Sequence, residues 1–137
     1  GPVRRINYPH PTADENLGEL LVMNIPEGNV KWRYRQRAPI NTAALTTGGG
    51  LVFVGDWNRY YYALDAETGD KLWQTRVTTS AQGFPMSYEV DGRQYIAMPA
   101  GVGGASWSGM LPRDLAPELN RPRHGNSIHV FALPKTQ

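Results

Sequence analysis

The sequence predicts an all-β chain, a partial β-propeller of two to three four-stranded antiparallel blades. Three observations lead there. The segment "ALDAETGDKLW" (Ala63 to Trp73) follows a strand with a Thr-Gly turn and sets a Trp four residues after the Gly. It recurs 41 positions upstream, where "MNIPEGNVKW" (Met23 to Trp32) sets Asn24 against Asp65, Gly28 against Gly69 and Trp32 against Trp73. A shortened third copy, "HVFALP" (His129 to Pro134), matches "YYALD" (Tyr61 to Asp65). A repeat of roughly 40–45 residues with strand character is the period of propeller blades.

Each element has its own warrant. Residues 1–17 show no period and read as an extended lead-in. "ELLVMNI" and "VKWRYRQ" flank a turn at Pro26 to Asn29, a hairpin signal. They form the outer half of one blade, residues 18–38. A full blade, residues 39–78, follows: "TAALTT", "LVFVG", "YYYALD" and "KLWQTRV", joined by the Gly48-Gly49-Gly50 triplet and short polar turns. The last blade, residues 79–137, opens with "FPMSYEV" and "RQYIAMP". Between them lies Asp91-Gly92, a strong signal for a two-residue hairpin turn. A Gly-rich and Pro/Arg-rich insertion covers residues 100–126, with at most a helical turn around Asp114 to Asn120, before "SIHVFALP".

The Gly and Trp of each repeat have structural work. Gly69 takes the positive φ of a tight turn without steric cost, and Asp65 or Thr68 bonds the turn amides. An indole on the outer strand can lie across the neighbouring blade with its N–H on a backbone carbonyl. Trp32 and Trp73 are therefore both expected to be largely buried between blades, as tryptophan-docking motifs.

Composition narrows the function. The chain has 137 residues, 15 Gly, 11 Pro and no cysteine, so it carries no disulfide framework and no thiolate metal site. Its net charge of +2 is too small to suggest a nucleic-acid partner. Arg33, Arg35 and Arg37 alternate along one strand and read as a solvated face. Asp56, Asp65, Glu67, Asp70 and Asp91 sit in turns, where a bond from side chain to backbone is the default. His10, His124 and His129 show no ligand spacing. The residues suggest no catalytic group and no metal ligand. No apolar run approaches the roughly 20 residues of a membrane span, and no signal peptide is visible.

The residues also resemble a known family. "ALDAETGDKLW" looks like the tryptophan-docking motif of quinoprotein dehydrogenases, the eight-bladed propellers that use pyrroloquinoline quinone (PQQ). "LTTGGGLVFVGDWNRYYYALD" resembles a strand–turn–strand run of a late blade in that family. "FPMSYEVDGRQYIAMPAGVGG" is similar to the family's P-x-T-Y-x-x-D-G-x-Q-Y-V-A segment with its following Gly-rich loop, and "VFALP" to its terminal strand. The likeness covers residues 18–134. It implies the C-terminal part of a dehydrogenase that oxidises alcohols or sugars, contributing propeller closure and part of the cofactor rim.

What the resemblance implies for the site follows from position. Asn41 matches a place where methanol dehydrogenases carry a cofactor-contacting Trp. Gly103, Gly104 and Ala105 match a Gly-Gly-Trp beside the quinone, and Trp107 stands two residues on as a substitute. These five are the expected PQQ contacts. Ca²⁺ or a lanthanide is expected on blades outside this chain, together with the catalytic aspartate. The resemblance further implies another polypeptide carrying the remaining blades, an electron acceptor such as a cytochrome c or a quinone, and a periplasmic location. The chain alone is expected to be inactive. Two alternatives stay open: a non-catalytic PQQ-like scaffold or assembly module, favoured by the missing aromatics at Asn41 and Ala105, and a sugar-binding or lyase propeller.

Overall fold

The structure is a computed structural model and describes residues 8–102, 115–119 and 122–134. Nine strands form three antiparallel sheets. β1 (Gly18–Asn24) and β2 (Asn29–Gln36) make a hairpin. β3 (Leu45–Thr46), β4 (Leu51–Gly55), β5 (Tyr60–Asp65) and β6 (Lys71–Arg76) make a four-stranded sheet in sequence order. β7 (Met86–Val90), β8 (Arg93–Ala100) and β9 (Ser127–Ala132) make a three-stranded sheet. Only the middle sheet thus has the four strands expected of a blade, among the described residues.

Strand sequence explains how the sheets stack. β4 and β5 are continuous apolar runs because both faces of the middle sheet are covered. One face, with Val52, Val54, Tyr62 and Leu64, packs on Leu20, Val22, Trp32 and Tyr34 of the first hairpin. The other, with Phe53, Tyr61 and Ala63, packs on Ile96, Met98 and Phe131 of the third sheet. β2 instead alternates, Trp32 and Tyr34 inward and Arg33 and Arg35 outward, since only one of its faces meets a neighbour, while Lys31 at the register shift pairs with Glu67 beside the turn after β5. The outward faces at both ends of the stack expose apolar side chains: Leu21, Met23 and Val30 on the hairpin, and Met86, Tyr88, Val90, Ile128 and Val130 on the third sheet.

Turn chemistry holds where the sequence marks it. Asp91 and Gly92 both have positive φ, 50° and 70°, as a two-residue hairpin turn of primed type requires. Asp65 accepts the amides of Glu67 and Thr68 at 2.7 and 3.0 Å, and Gly69 has φ 80°.

The two repeat tryptophans part company. Trp32 is 9% exposed, and its Nε1 donates to the Ala66 carbonyl at 3.0 Å across the sheet boundary. Its ring lies so close to Gly69 that a Cβ there would fall 2.7 Å from ring carbons, so this Gly serves both the turn and the contact. Trp73 is 36% exposed, which corrects the expectation of burial. It meets Phe131 edge-on, ring centroids 5.2 Å apart, at the side of an apolar cleft of 360 Å³ that includes Leu72, Leu133 and Pro134. Trp32 docks on the turn that follows β5; residues 135–137, which follow the third sheet's last strand, lie outside the described residues. Gly28 shows the converse: φ 67°, and nothing within 4 Å of where its Cβ would be.

Candidate functional site

Strand alternation brings one set of loops together at one end of the sheets. These are residues 37–44 after β2, 56–59 after β4, 77–85 after β6, and the described parts of the segment after β8, residues 101–102, 115–119 and 122–126. Backbone bonds knit them: Trp57 N to Pro39 O at 2.9 Å, Ala81 N to Asp56 O at 3.0 Å, Val77 N to Arg59 O at 2.8 Å and Gly101 N to Ser80 O at 2.9 Å. The sequence-predicted Asn41 stands here, half-buried, at the start of the segment leading into β3. Its backbone N–H donates to Gly55 O at 2.9 Å and its Nδ2 to Ala81 O at 3.0 Å. One N–H of the side-chain amide thus ties two loops together, and the second N–H and Oδ1 remain as further donor and acceptor capacity. Thr42 beside it accepts the Gly55 N–H at 2.8 Å through its hydroxyl oxygen, which leaves the hydroxyl hydrogen to donate.

Gly103, Gly104, Ala105 and Trp107 lie outside the described residues. The chain enters that segment from Val102, whose N–H donates to Asn126 Oδ1 at 3.0 Å. Ala100 bridges Ala81, the residue that accepts from Asn41, so the start of the insertion and Asn41 share one anchor.

Asp56 makes the side-chain-to-backbone bond expected of a turn aspartate, but it is also 1% exposed and takes two side-chain donors, which the sequence did not signal. Its Oδ1 accepts the Tyr60 amide at 2.9 Å; its Oδ2 accepts the Tyr62 hydroxyl at 2.6 Å and the Gln36 amide at 3.2 Å. Burial pushes its carboxyl above the usual carboxylate range, opposed by these hydrogen bonds. The Tyr62 hydroxyl is pushed up too, first by burial and then by the Asp56 bond. Gln36 also donates to Ala38 O at 3.0 Å, so Asp56 joins hairpin and middle sheet. No local signal marks this role, because its partners lie 20 residues back and six ahead.

Three consecutive hydroxyls, Thr78, Thr79 and Ser80, each donate to a different carbonyl: Gly125 at 2.7 Å, Pro122 at 2.8 Å and Trp57 at 2.8 Å. Arg33 and Arg35 both pair with Glu19, at 3.7 and 2.6 Å, and hold its carboxyl below the usual range, the Arg35 hydrogen bond first. Arg37 departs from the solvated face and bonds the insertion and the lead-in. Among the described residues no group of three or more His, Cys, Asp or Glu side chains converges as a metal would need.

Three stacked antiparallel sheets, with loops gathered at one end, define a propeller-type architecture. A family model described as "PQQ: Glucose/ethanol/alcohol dehydrogenase, beta-propeller domain" matches residues 14–96, and the chain belongs to that family. It is 36% identical over 124 residues to a quinoprotein ethanol dehydrogenase of Pseudomonas aeruginosa, covering 88% of this chain and 19% of the relative. It is 40% identical over 144 residues to a methanol dehydrogenase [cytochrome c] subunit 1 of Methylobacterium organophilum, covering 92% and 23%. A solved europium-containing methanol dehydrogenase superposes with a TM-score of 0.74 at 26% identity, covering 90% of this chain and 24% of that one. The chain therefore spans about a fifth of the length of the curated relatives it matches.

Proposed function

We propose that the chain is the C-terminal sector of a PQQ-dependent dehydrogenase of alcohols or sugars, working in the periplasm with another polypeptide that carries the remaining blades. One observation carries the reading: Trp32 finds Ala66 and Gly69 of the next sheet, while Gly28, the equivalent turn glycine of the first hairpin, lies open. A further blade packed on the hairpin would set its own Trp there. The apolar outer faces of the first and third sheets, and the edge of β9 away from β8, fit the same completion.

The residues present fit one side of a quinone rim. Asn41 Oδ1 offers an acceptor and the Thr42 hydroxyl a donor at the inner edge of the middle sheet. Gly103, Gly104, Ala105 and Trp107 would flank the quinone from the insertion. PQQ, when bound, supplies a quinone that takes up a hydride equivalent from the alcohol carbon, with Ca²⁺ or a lanthanide on the other blades as Lewis acid. This chain holds and orients that rim. Asp56, the buried carboxylate at this end, is occupied by Tyr60, Tyr62 and Gln36 and serves the scaffold. The proton acceptor would come from the other blades, and electrons would leave to a cytochrome c or a quinone.

A second reading, a non-catalytic PQQ-like scaffold, is favoured by Asn41 and Ala105, which stand where the resemblance implies aromatic cofactor contacts. Co-expression with the remaining blades of the Methylobacterium organophilum relative, followed by dye-linked oxidation of methanol and ethanol, separates the two. Turnover by the complex supports the dehydrogenase. A stable complex without turnover supports the scaffold.

A further inference from the structure

Arg37, just beyond β2, is the meeting point of three segments far apart in sequence. Its Nε donates to Glu118 Oε1 at 2.6 Å, its Nη2 to the Leu115 carbonyl at 2.6 Å, and its Nη1 to the Glu15 carbonyl. The lead-in, the end of the first hairpin and the returning limb of the insertion, residues 115–119, are joined there. The limb turns on itself through Leu119 N to Ala116 O at 3.0 Å, and Ala116 is fully buried. Further along, Thr79 and Thr78 hold the carbonyls of Pro122 and Gly125.

The charge pair is the lesser part of this contact. Side chains of Arg37 and Glu118 are 36% and 52% exposed, and such a pair holds little by itself. The two carbonyls matter more. A planar guanidinium directs donors along several fixed lines at once, and an ammonium on a flexible stem does not reproduce that fork. Anchoring by backbone carbonyls also makes the attachment insensitive to the side chains the limb carries.

We propose that Arg37 is a positioning residue: it fixes the returning limb of the insertion, Leu115–Leu119, to the first hairpin at the sheet end that carries Asn41, and thereby sets how that end receives substrate. The substrate half rests on the dehydrogenase reading above; the anchoring half does not.

The test uses Arg37→Lys, Arg37→Ala and Glu118→Gln in the full chain and in the complex with the remaining blades. In the full chain, the Leu119 amide should exchange at least about 10-fold faster in both Arg37 variants, with β4 and β5 amides unchanged. Glu118→Gln should stay within about 3-fold of the parent, because the carbonyl bonds remain. Arg37→Lys exchanging like the parent, or Glu118→Gln matching Arg37→Ala, overturns the anchoring. In the complex, Arg37→Lys should raise KM for ethanol about 5-fold or more with kcat within about 2-fold. An unchanged KM alongside faster exchange overturns the substrate half. A parent complex with no turnover overturns the dehydrogenase reading and the substrate half with it, while the exchange result still decides the anchoring.

Discussion

Replacing Trp32 and Trp73 one at a time by Ala compares a buried docking contact with a partly exposed one. Trp32 is 9% exposed, fills the space over Gly69, and donates a 3.0 Å hydrogen bond to Ala66. Truncating a buried Trp costs about 3–5 kcal/mol, and the lost hydrogen bond adds roughly 1 kcal/mol net. Trp73 is 36% exposed, and its ring partner is Phe131, at an edge. An aromatic pair is worth about 0.5–1.5 kcal/mol, so with partial burial Trp73→Ala should cost about 1–2 kcal/mol. Urea denaturation of the two variants and the parent, with a shared m-value, reads the difference as a shift in midpoint. A net stability of about 5–15 kcal/mol is typical for a domain, so Trp32→Ala removes a large share of it. Trp32→Phe, which removes the N–H and part of the ring but keeps an aromatic in place, should cost less than Trp32→Ala, about 1–3 kcal/mol. The reasoning fails if Trp73→Ala costs as much as Trp32→Ala in the chain by itself.

Other expectations follow from the same geometry. Gly69→Ala forces both a left-handed residue and a 2.7 Å clash with Trp32. Gly28→Ala meets only the left-handed penalty of about 1–2 kcal/mol, so the Gly69 variant should be the less stable by thermal melting. The raised Asp56 carboxyl means the fold prefers its protonated form, so this residue's contribution is best below about pH 4 and declines as pH rises through the folded-state value. The stability of Asp56→Asn relative to the parent should therefore improve from about pH 4 to pH 7; a difference constant over that range would show that burial does not perturb Asp56. Amides of β9 should alternate between slow and fast exchange in the isolated chain and become uniformly slow when the remaining blades bind. Uniform protection in a monomeric isolated chain would mean the edge is covered from within.

The strands and their turns were legible because their signals are local. The apolar runs of β4 and β5, the Asp91-Gly92 turn and the Asp65 to Gly69 turn all follow from residues within a few positions of each other. What the sequence hid depends on distant partners. Trp32 and Trp73 read alike, and their fates diverge only because Ala66 and Gly69, some 34 residues or more from Trp32, are placed to receive it. Asp56 read as a turn residue bonded to backbone, which its bond from the Tyr60 amide bears out, but the closure of Gln36 and Tyr62 over it could not be read. Arg37 looked like one more cation of an alternating strand, and its acceptors stand 78 and 81 positions away. The place of Asn41 just before the inner strand could be read from the sequence, but the bond of its side-chain amide to Ala81, 40 residues on, could not.

The most direct measurement is the PQQ content of the purified chain, with and without the remaining blades, read from quinone absorbance after incubation with PQQ and Ca²⁺ and removal of free cofactor. If the chain is one sector of a shared rim, the complex retains about one PQQ per complex and the chain alone retains none, since one side of a rim buries too little of a ligand to hold it. Stoichiometric retention by the chain alone, or none by a stable complex, would contradict the account.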